Sequence, residues 1–375
     1  MTRFQINAND PHSQARTGTL MTGHGPVQTP AFMPVGTRGS VKGLTPDQLR
    51  STGSTMILAN TYHMMIRPGA ETVRDLGGLH RLMCWDGPIL TDSGGYQVFS
   101  LSGLNRIGDE GVQFASHVDG ARIYLDAETA IRVQNALGAD IIMCFDECAP
   151  HPCDEAKLNK AVVRTLRWAR QCRAAHENGR QLLFAIVQGG VDLALRSRCA
   201  QELMEIDFDG YAIGGLSVGE GHEAMVATVE HTAPLLPREK PRYLMGVGMP
   251  ADIIAAVRAG VDLFDCVLPT RNGRNAFAFT QDGPIRLRNA AHAGDTAPIE
   301  RDCPCYCCSN FSRGAIRHLF NVGEMLGPTL LSIHNITFYQ RLMADIRRRI
   351  QNASFEPWAA EIILRLQAQS GNCRL

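Results

Sequence analysis

The chain has 375 residues, 45% hydrophobic and 20% charged, with 37 Lys and Arg offset by 37 Asp and Glu. That balance excludes a disordered chain and a membrane-embedded one, and no apolar run approaches the roughly 18 residues that a membrane span requires. Twelve cysteines dispersed through a long chain, and a start, "MTRFQINANDPHSQ", without the charged-then-apolar pattern of a signal peptide, point to the cytoplasm and to reduced thiols.

Taken in chain order, eight short apolar runs of strand type recur: "TPAFMPVGT", "MILANTY", "PILTDSGG", "IIMCFDE", "LFAIVQGG", "GYAIGGL", "RYLMGVG" and "LFDCVLPT". Helix-period segments separate most of them: Asp126 to Leu137, Asp154 to His176, Leu193 to Met204, His222 to His231 and Ala251 to Ala259. Thr45-Pro46 and Met249-Pro250 set proline where a helix begins, and Gly138, Gly179 and Gly260 stand where one should stop. Continuous apolar strands alternating with helices pair in parallel with both faces covered. Eight such units predict an α/β fold, a (β/α)8 TIM barrel over residues 1–284. Residues 100–125 interrupt it, and "FASHVDGARIYL" carries the Asp-Gly signal of a β-hairpin, a lid or a dimer element. Residues 285–375 read as a cysteine-bearing subdomain followed by a helical stretch from about Ile336 to Leu366, packed on the barrel as one structural unit.

In such barrels the chemistry sits at the carboxyl ends of the strands. The polar or small residues closing the runs are Asn60, Asp92, Asp146, Gln188, Gly215, Gly246 and Asp265. Any one Asp could cap a helix or pair with Arg. Three carboxylates converging on one mouth without cations would raise one another's pKa, and such clusters persist where a proton or a cationic transition state is handled. Two carboxylates facing one carbon is the arrangement of double-displacement glycosyl transfer, which makes Asp265 a candidate nucleophile. The glycines of "DSGG", "QGG" and "GGL" allow backbone N–H groups to approach a flat ligand, or simply permit tight turns. Tyr96 and Met245 could sandwich a planar base or belong to the core.

Four of the cysteines crowd into "CPCYCCSN", giving Cys303-x-Cys305-x2-Cys308, with His334 following after a 25-residue gap. Three thiolates and an imidazole satisfy tetrahedral zinc with no open position, a structural site that cannot activate water. Cys307 is left as a spectator. Residues 271–349 hold 11 Arg against 6 Asp and Glu, a local charge of +5 that suits a polyanion or a solvated surface. Arg271 and Arg274 lead that region from what reads as a Gly- and Asn-rich loop.

The motifs "TDSGGYQVFSL", "GGLSVGE", "DCVLPTRNGRNA" and the Cys3His spacing together resemble the bacterial tRNA guanine transglycosylase family over essentially the whole chain. The resemblance implies exchange of the wobble guanine in tRNAs with GUN anticodons (Asp, Asn, His, Tyr) for the free base 7-aminomethyl-7-deazaguanine, in queuosine synthesis. It implies Asp265 as the nucleophile that bonds to the ribose and Asp92 as general acid/base. Asp146, Gln188 and the Gly215 amide would hold the purine edge, and Tyr96 and Met245 its faces. The Leu216 carbonyl would receive the aminomethyl group beside Glu220. Val218 and Cys148 would border it, Val218 being larger than the residue in eukaryotic members that take queuine. Arg271 and Arg274 would grip the RNA, and structural Zn2+ and a homodimer are implied, although Phe311 and Ala315 replace the more aromatic dimer turn of some relatives. The rivals are a non-catalytic RNA-binding subunit, against which both Asp92 and Asp265 stand, and a sugar-cleaving barrel, whose expected tryptophans are lacking among the three present.

Overall fold

The computed structural model describes residues 3–101 and 105–370. Each of the eight apolar runs contributes one barrel strand: β1 Ala31–Pro34, β2 Ile57–Ala59, β3 Ile89–Thr91, β4 Ile141–Met143, β5 Leu182–Val187, β6 Gly210–Ile213, β7 Arg242–Leu244 and β8 Leu263–Cys266. All pair in parallel in the order β1-β8-β7-β6-β5-β4-β3-β2, and a bridge between Val35 and Leu58 joins the two ends into a barrel. Side chains alternate about each strand. Leu58, Leu90, Ile186 and Leu263 belong to the packed barrel interior, and Ile57, Ile89, Val187 and Phe264 to the outer core under the helices. Two residues beyond the interior set, on the same face, stand Asn60, Asp92, Gln188 and Asp265.

Asp126, Asp154 and Asp192 cap the helices Ala127–Leu137, Glu155–Ala175 and Leu193–Ile206 by accepting the N–H three residues on, and Thr45 forms a capping box with Gln48 ahead of Pro46–Ser51. Gly138 ends its helix in the left-handed region, as expected. Gly179 does not: the helix stops at Ala175, and Gly179 lies in the turn beyond.

The amino-terminal segment forms an unanticipated antiparallel sheet of Phe4–Asn9, Arg16–Thr22 and Gly25–Thr29. Phe4, Leu20 and Val27 from it complete the interior cluster beneath Ala31, Met33 and Leu263. The insertion is a three-stranded sheet, Asn105–Ile107, Val112–Ala115 and Arg122–Leu125, with Gly120 at φ 74° in the expected Asp-Gly turn; residues 102–104 of the span lie outside the described residues. Its first turn is fastened to the helix behind it: Trp168 Nε1 donates to the Asp109 carbonyl at 2.8 Å, and Arg164 and Arg167 pair with Asp109 and Glu110.

The carboxyl-terminal helical stretch starts earlier than expected. One helix runs Leu326–Gln351 and a second Phe355–Ser370. Gly327 and Pro328 lie in the first turn, where a missing N–H costs nothing, so the proline does not delay the helix. Asn335, midway along it, donates to the carbonyls of Pro269 and Phe277 and accepts the Phe279 N–H, and Gln340 reaches the Phe32 carbonyl of β1. A small hairpin, Phe277–Ala278 with Ile285–Arg286, bridges residue 284. Among the described residues no helix is long and apolar enough to cross a membrane.

Candidate active site

Among the described residues, the three strand-end carboxylates meet hydrogen-bond donors and no cations. Asp92, buried just past β3, accepts the Thr61 N–H through Oδ1 at 2.7 Å; its Oδ2 accepts from Asn60 Nδ2 at 2.5 Å and from Gln97 Nε2 at 2.9 Å. Burial pushes its carboxyl up to about 6; the Asn60, Thr61 and Gln97 bonds oppose this, and the charge of Asp265 adds to it. A carboxyl that titrates near neutrality can both give and take a proton.

Asp265 is set inside the barrel by the pleat of β8, two residues above Leu263. Its Oδ1 accepts the Tyr243 hydroxyl at 2.6 Å and the Gly246 N–H at 2.8 Å. Oδ2 takes no hydrogen bond among the described residues, so one oxygen is anchored and the other is left without a partner. Burial raises this carboxyl as well, against the two bonds.

Asp146, past β4, accepts from Ser93 Oγ and from Gln188 Nε2, both at 2.7 Å. Burial raises it, and those two bonds pull the other way. Its neighbour Glu147 turns away from the mouth and pairs with Arg164 at 2.9 Å. Gly95 and Gly215 are required by close approach: a Cβ on Gly95 would lie 2.6 Å from the Asp146 carbonyl, and one on Gly215, at φ 66°, would lie 2.3 Å from Gln188 Oε1. The glycines thus serve contacts within the protein as well as any room for a ligand. Tyr96, on the short helix that follows Asp92, is 52% exposed, and Met245 is half-buried past β7.

The "GGLSVGE" segment forms a turn around Glu220, whose carboxylate accepts the N–H groups of Ser217 and Val218. Leu216 is buried, Val218 and Cys148 half-buried, and burial, then the charge of Asp146, pushes the Cys148 thiol up to about 12.

Arg271 and Arg274 are corrected in one respect. They stand on a helix, Leu268–Arg274, not in a loop. Pro269 fits its first turn, and Gly273 lets it sit on the long carboxyl-terminal helix, where a Cβ would meet Ser332 Oγ at 2.7 Å. Arg271 is exposed; Arg274 is half-buried, and its Nη1 has no partner among the described residues.

At the carboxyl-terminal cluster, the Sγ atoms of Cys303, Cys305 and Cys308 lie 3.7, 3.7 and 3.3 Å from His334 Nδ1. A tetrahedral ion with bonds of roughly 2.3 Å to sulfur and 2.0 Å to nitrogen would set such edges at about 3.5 Å. His334 Nε2 faces the Phe279 carbonyl at 2.8 Å, which assigns the proton there and leaves Nδ1 for a metal. The cluster therefore can hold an ion and fits zinc. Cys307 is buried outside it, its thiol raised by burial.

Sequence reasoning did not single out Gln97, Ser93 and Tyr243, which hold the carboxylates. The signal for Tyr243 was its parity, two residues before Met245 on an inward-facing strand.

The family described as "Queuine tRNA-ribosyltransferase" matches residues 10–368. Proteins of that name from Pelotomaculum thermopropionicum and Nitrosomonas eutropha are 54% and 52% identical, over 93% and 95% of this chain and 94% and 98% of their own. The one from Novosphingobium aromaticivorans is 51% identical over 96% of this chain and 98% of its own. The match spans barrel, insertion and cysteine cluster alike, so the chain belongs to the queuine tRNA-ribosyltransferase family and is a transferase of the pentosyl class.

Proposed function

We propose that this chain exchanges guanine at the wobble position of tRNAs with GUN anticodons for 7-aminomethyl-7-deazaguanine by double displacement. Asp265 Oδ2 attacks the ribose C1′ and the C1′–N9 bond breaks; guanine leaves and gains a proton at N9 from Asp92. The entering base loses its N9 proton to Asp92, its nitrogen attacks C1′, and the ester to Asp265 breaks. Two inversions leave the ribose configuration unchanged. The observation that carries this reading is one half-buried carboxylate with a free oxygen, Asp265, whose charge acts on a buried second one that titrates at about 6, Asp92.

Asp146, Gln188 and the Gly215 amide read the purine edge, with Tyr96 and Met245 on its faces. The Leu216 carbonyl takes the aminomethyl group in the turn held by Glu220, and Val218 and Cys148 border that side, leaving room for the small base and not for queuine. A base can be replaced only after it is flipped out of the anticodon stack, a cost of a few kcal/mol; Arg271 and Arg274 offset it through contacts to the flanking nucleotides. Zinc held by Cys303, Cys305, Cys308 and His334 belongs to the same reading as a structural ion, with four donors and no open position for chemistry. A cytoplasmic site of action and a homodimer complete it.

The test mixes the protein with a GUN anticodon stem-loop and labelled guanine. Incorporation is expected, with an RNA–protein adduct that survives denaturing electrophoresis and disappears in Asp265→Ala; undiminished incorporation in that variant would remove the mechanism. Metal analysis should find one zinc per intact chain, and substantially less would remove the structural ion.

A further inference from the structure

Helix Leu193–Ile206 carries an arginine, Arg196, that is fully buried. Among the described residues it forms no ion pair. Instead its guanidinium spends all three arms on backbone carbonyls: Nε donates to Gly190 at 2.8 Å, Nη1 to Val187 at 2.9 Å and Nη2 to Gly214 at 2.8 Å. Burial pushes its pKa down to about 10, which still leaves it charged at neutral pH. An unpaired buried cation is costly, and an apolar side chain would fill the space, so these carbonyls have particular need of it.

Their position shows why. The parallel ladder of β5 and β6 ends at Val187 opposite Ile213, with a last bond from the Gly214 N–H to the Val187 carbonyl at 3.1 Å. Beyond that point the strands part. One side leads to Gln188, Gly189 and Gly190, the other to Gly214, Gly215 and Leu216. Arg196 bonds to both sides and so extends the ladder past its natural end. Glycine makes room for the arginine at Gly189, where a Cβ, at φ 140°, would sit 3.0 Å from the Arg196 backbone nitrogen and 3.3 Å from its Cγ; a Cβ on Gly214 would instead sit 2.6 Å from Ile186 Cγ2 and 3.0 Å from Gln188 Nε2.

We propose that Arg196 is the positioning residue for base recognition, a guanidinium fork that fixes Gln188 and Gly215 relative to each other from behind the pocket. The inference rests on the assignment of Gln188 and Gly215 to the purine edge. Lysine cannot take over the role, because one ammonium cannot present a rigid planar fork to three fixed acceptors.

The test compares wild type with Arg196→Lys and Arg196→Met. Steady-state exchange of labelled guanine gives KM for free guanine and KM for the anticodon stem-loop separately, and hydrogen exchange reports on the loop amides. In the lysine variant KM for guanine should rise about tenfold or more, with KM for RNA within about twofold. Amides at 189–190 and 214–216 should lose protection while those of β5 and β6 keep theirs. A folded lysine variant with unchanged guanine KM, or with both KM values raised in parallel, overturns the proposal. Should neither variant fold, wild type still decides: the clamp requires slow exchange at those loop amides, and fast exchange overturns it. Wild type that incorporates no guanine would sink the assignment of function instead, leaving the loop-protection comparison to judge the clamp.

Discussion

The two ends of the barrel treat the same residue type in opposite ways. At the amino end, Asp262 immediately precedes β8 and is locked by Arg16, with Nε and Nη2 at 3.0 and 2.6 Å, and by the Arg242 N–H. Asp140, preceding β4, accepts from His24, His80 and the N–H of Ile89; burial works to raise its pKa, but the bonds from His80, Ile89 and His24 prevail and hold it below the usual carboxylate range. Three residues after Asp262, at the carboxyl end of the same strand, Asp265 has no cation partner among the described residues and is raised, as are Asp92 and Asp146. Partners that saturate a carboxylate make it a fastener. Neutral donors orient a carboxylate without holding its pKa down.

The sharpest way to break this contrast is to neutralise both residues of the β8 pair. Asp265→Asn should lower the exchange rate by about four orders of magnitude with little change in stability. Asp262→Ala should do the reverse, removing about 3–5 kcal/mol from the unfolding free energy because Arg16 is left buried and unpaired, while kcat per folded molecule stays within about twofold. Denaturant titration with active-site titration checks both, and equal damage to catalysis from the two changes would erase the distinction. Next in size is the pH response at the mouth. With Asp92 titrating at about 6, kcat/KM for the free base should fall tenfold per pH unit below that value, where the proton acceptor is lost. Esterification of Asp265 removes a charge that raises Asp92, so the break in the adduct should sit slightly lower. A wild-type profile flat from about pH 5 to 8 would contradict the assignment. The smallest effect belongs to the base. Asp140 is depressed, so its contribution is present at neutral pH and is lost as pH falls through its folded value. Asp140→Asn should therefore cost about 1–2 kcal/mol at pH 7, and the gap from wild type should close on acidification; a gap that widens would reverse the sign.

All eight strands and the placement of the strand-end carboxylates were legible because continuous apolar runs announce buried parallel strands, and the carboxylates follow them at even spacing, as Asp92 follows Leu90 and Asp265 follows Leu263. Other features needed tertiary context. "FQINAN" alternates as a half-buried strand should, but the sheet it joins exists only to cover the barrel. "LPTRNGR" has poor helix propensity and becomes helical because Gly273 lets it pack on the carboxyl-terminal helix. Arg196 reads in sequence as one more solvated arginine, since nothing local reveals three carbonyls converging on it.

The sheet under the barrel has a final consequence. Phe4, Leu20 and Val27 pack in one apolar cluster with Ala31, Met33 and Leu263, at the end of the barrel away from the strand-end carboxylates. On the proposed mechanism, both nucleobases therefore pass through the mouth at the other end, and the outgoing one leaves before its replacement comes in. The two then never occupy the cavity together, and for the interval between them the RNA is retained by a covalent bond alone at the vacated sugar.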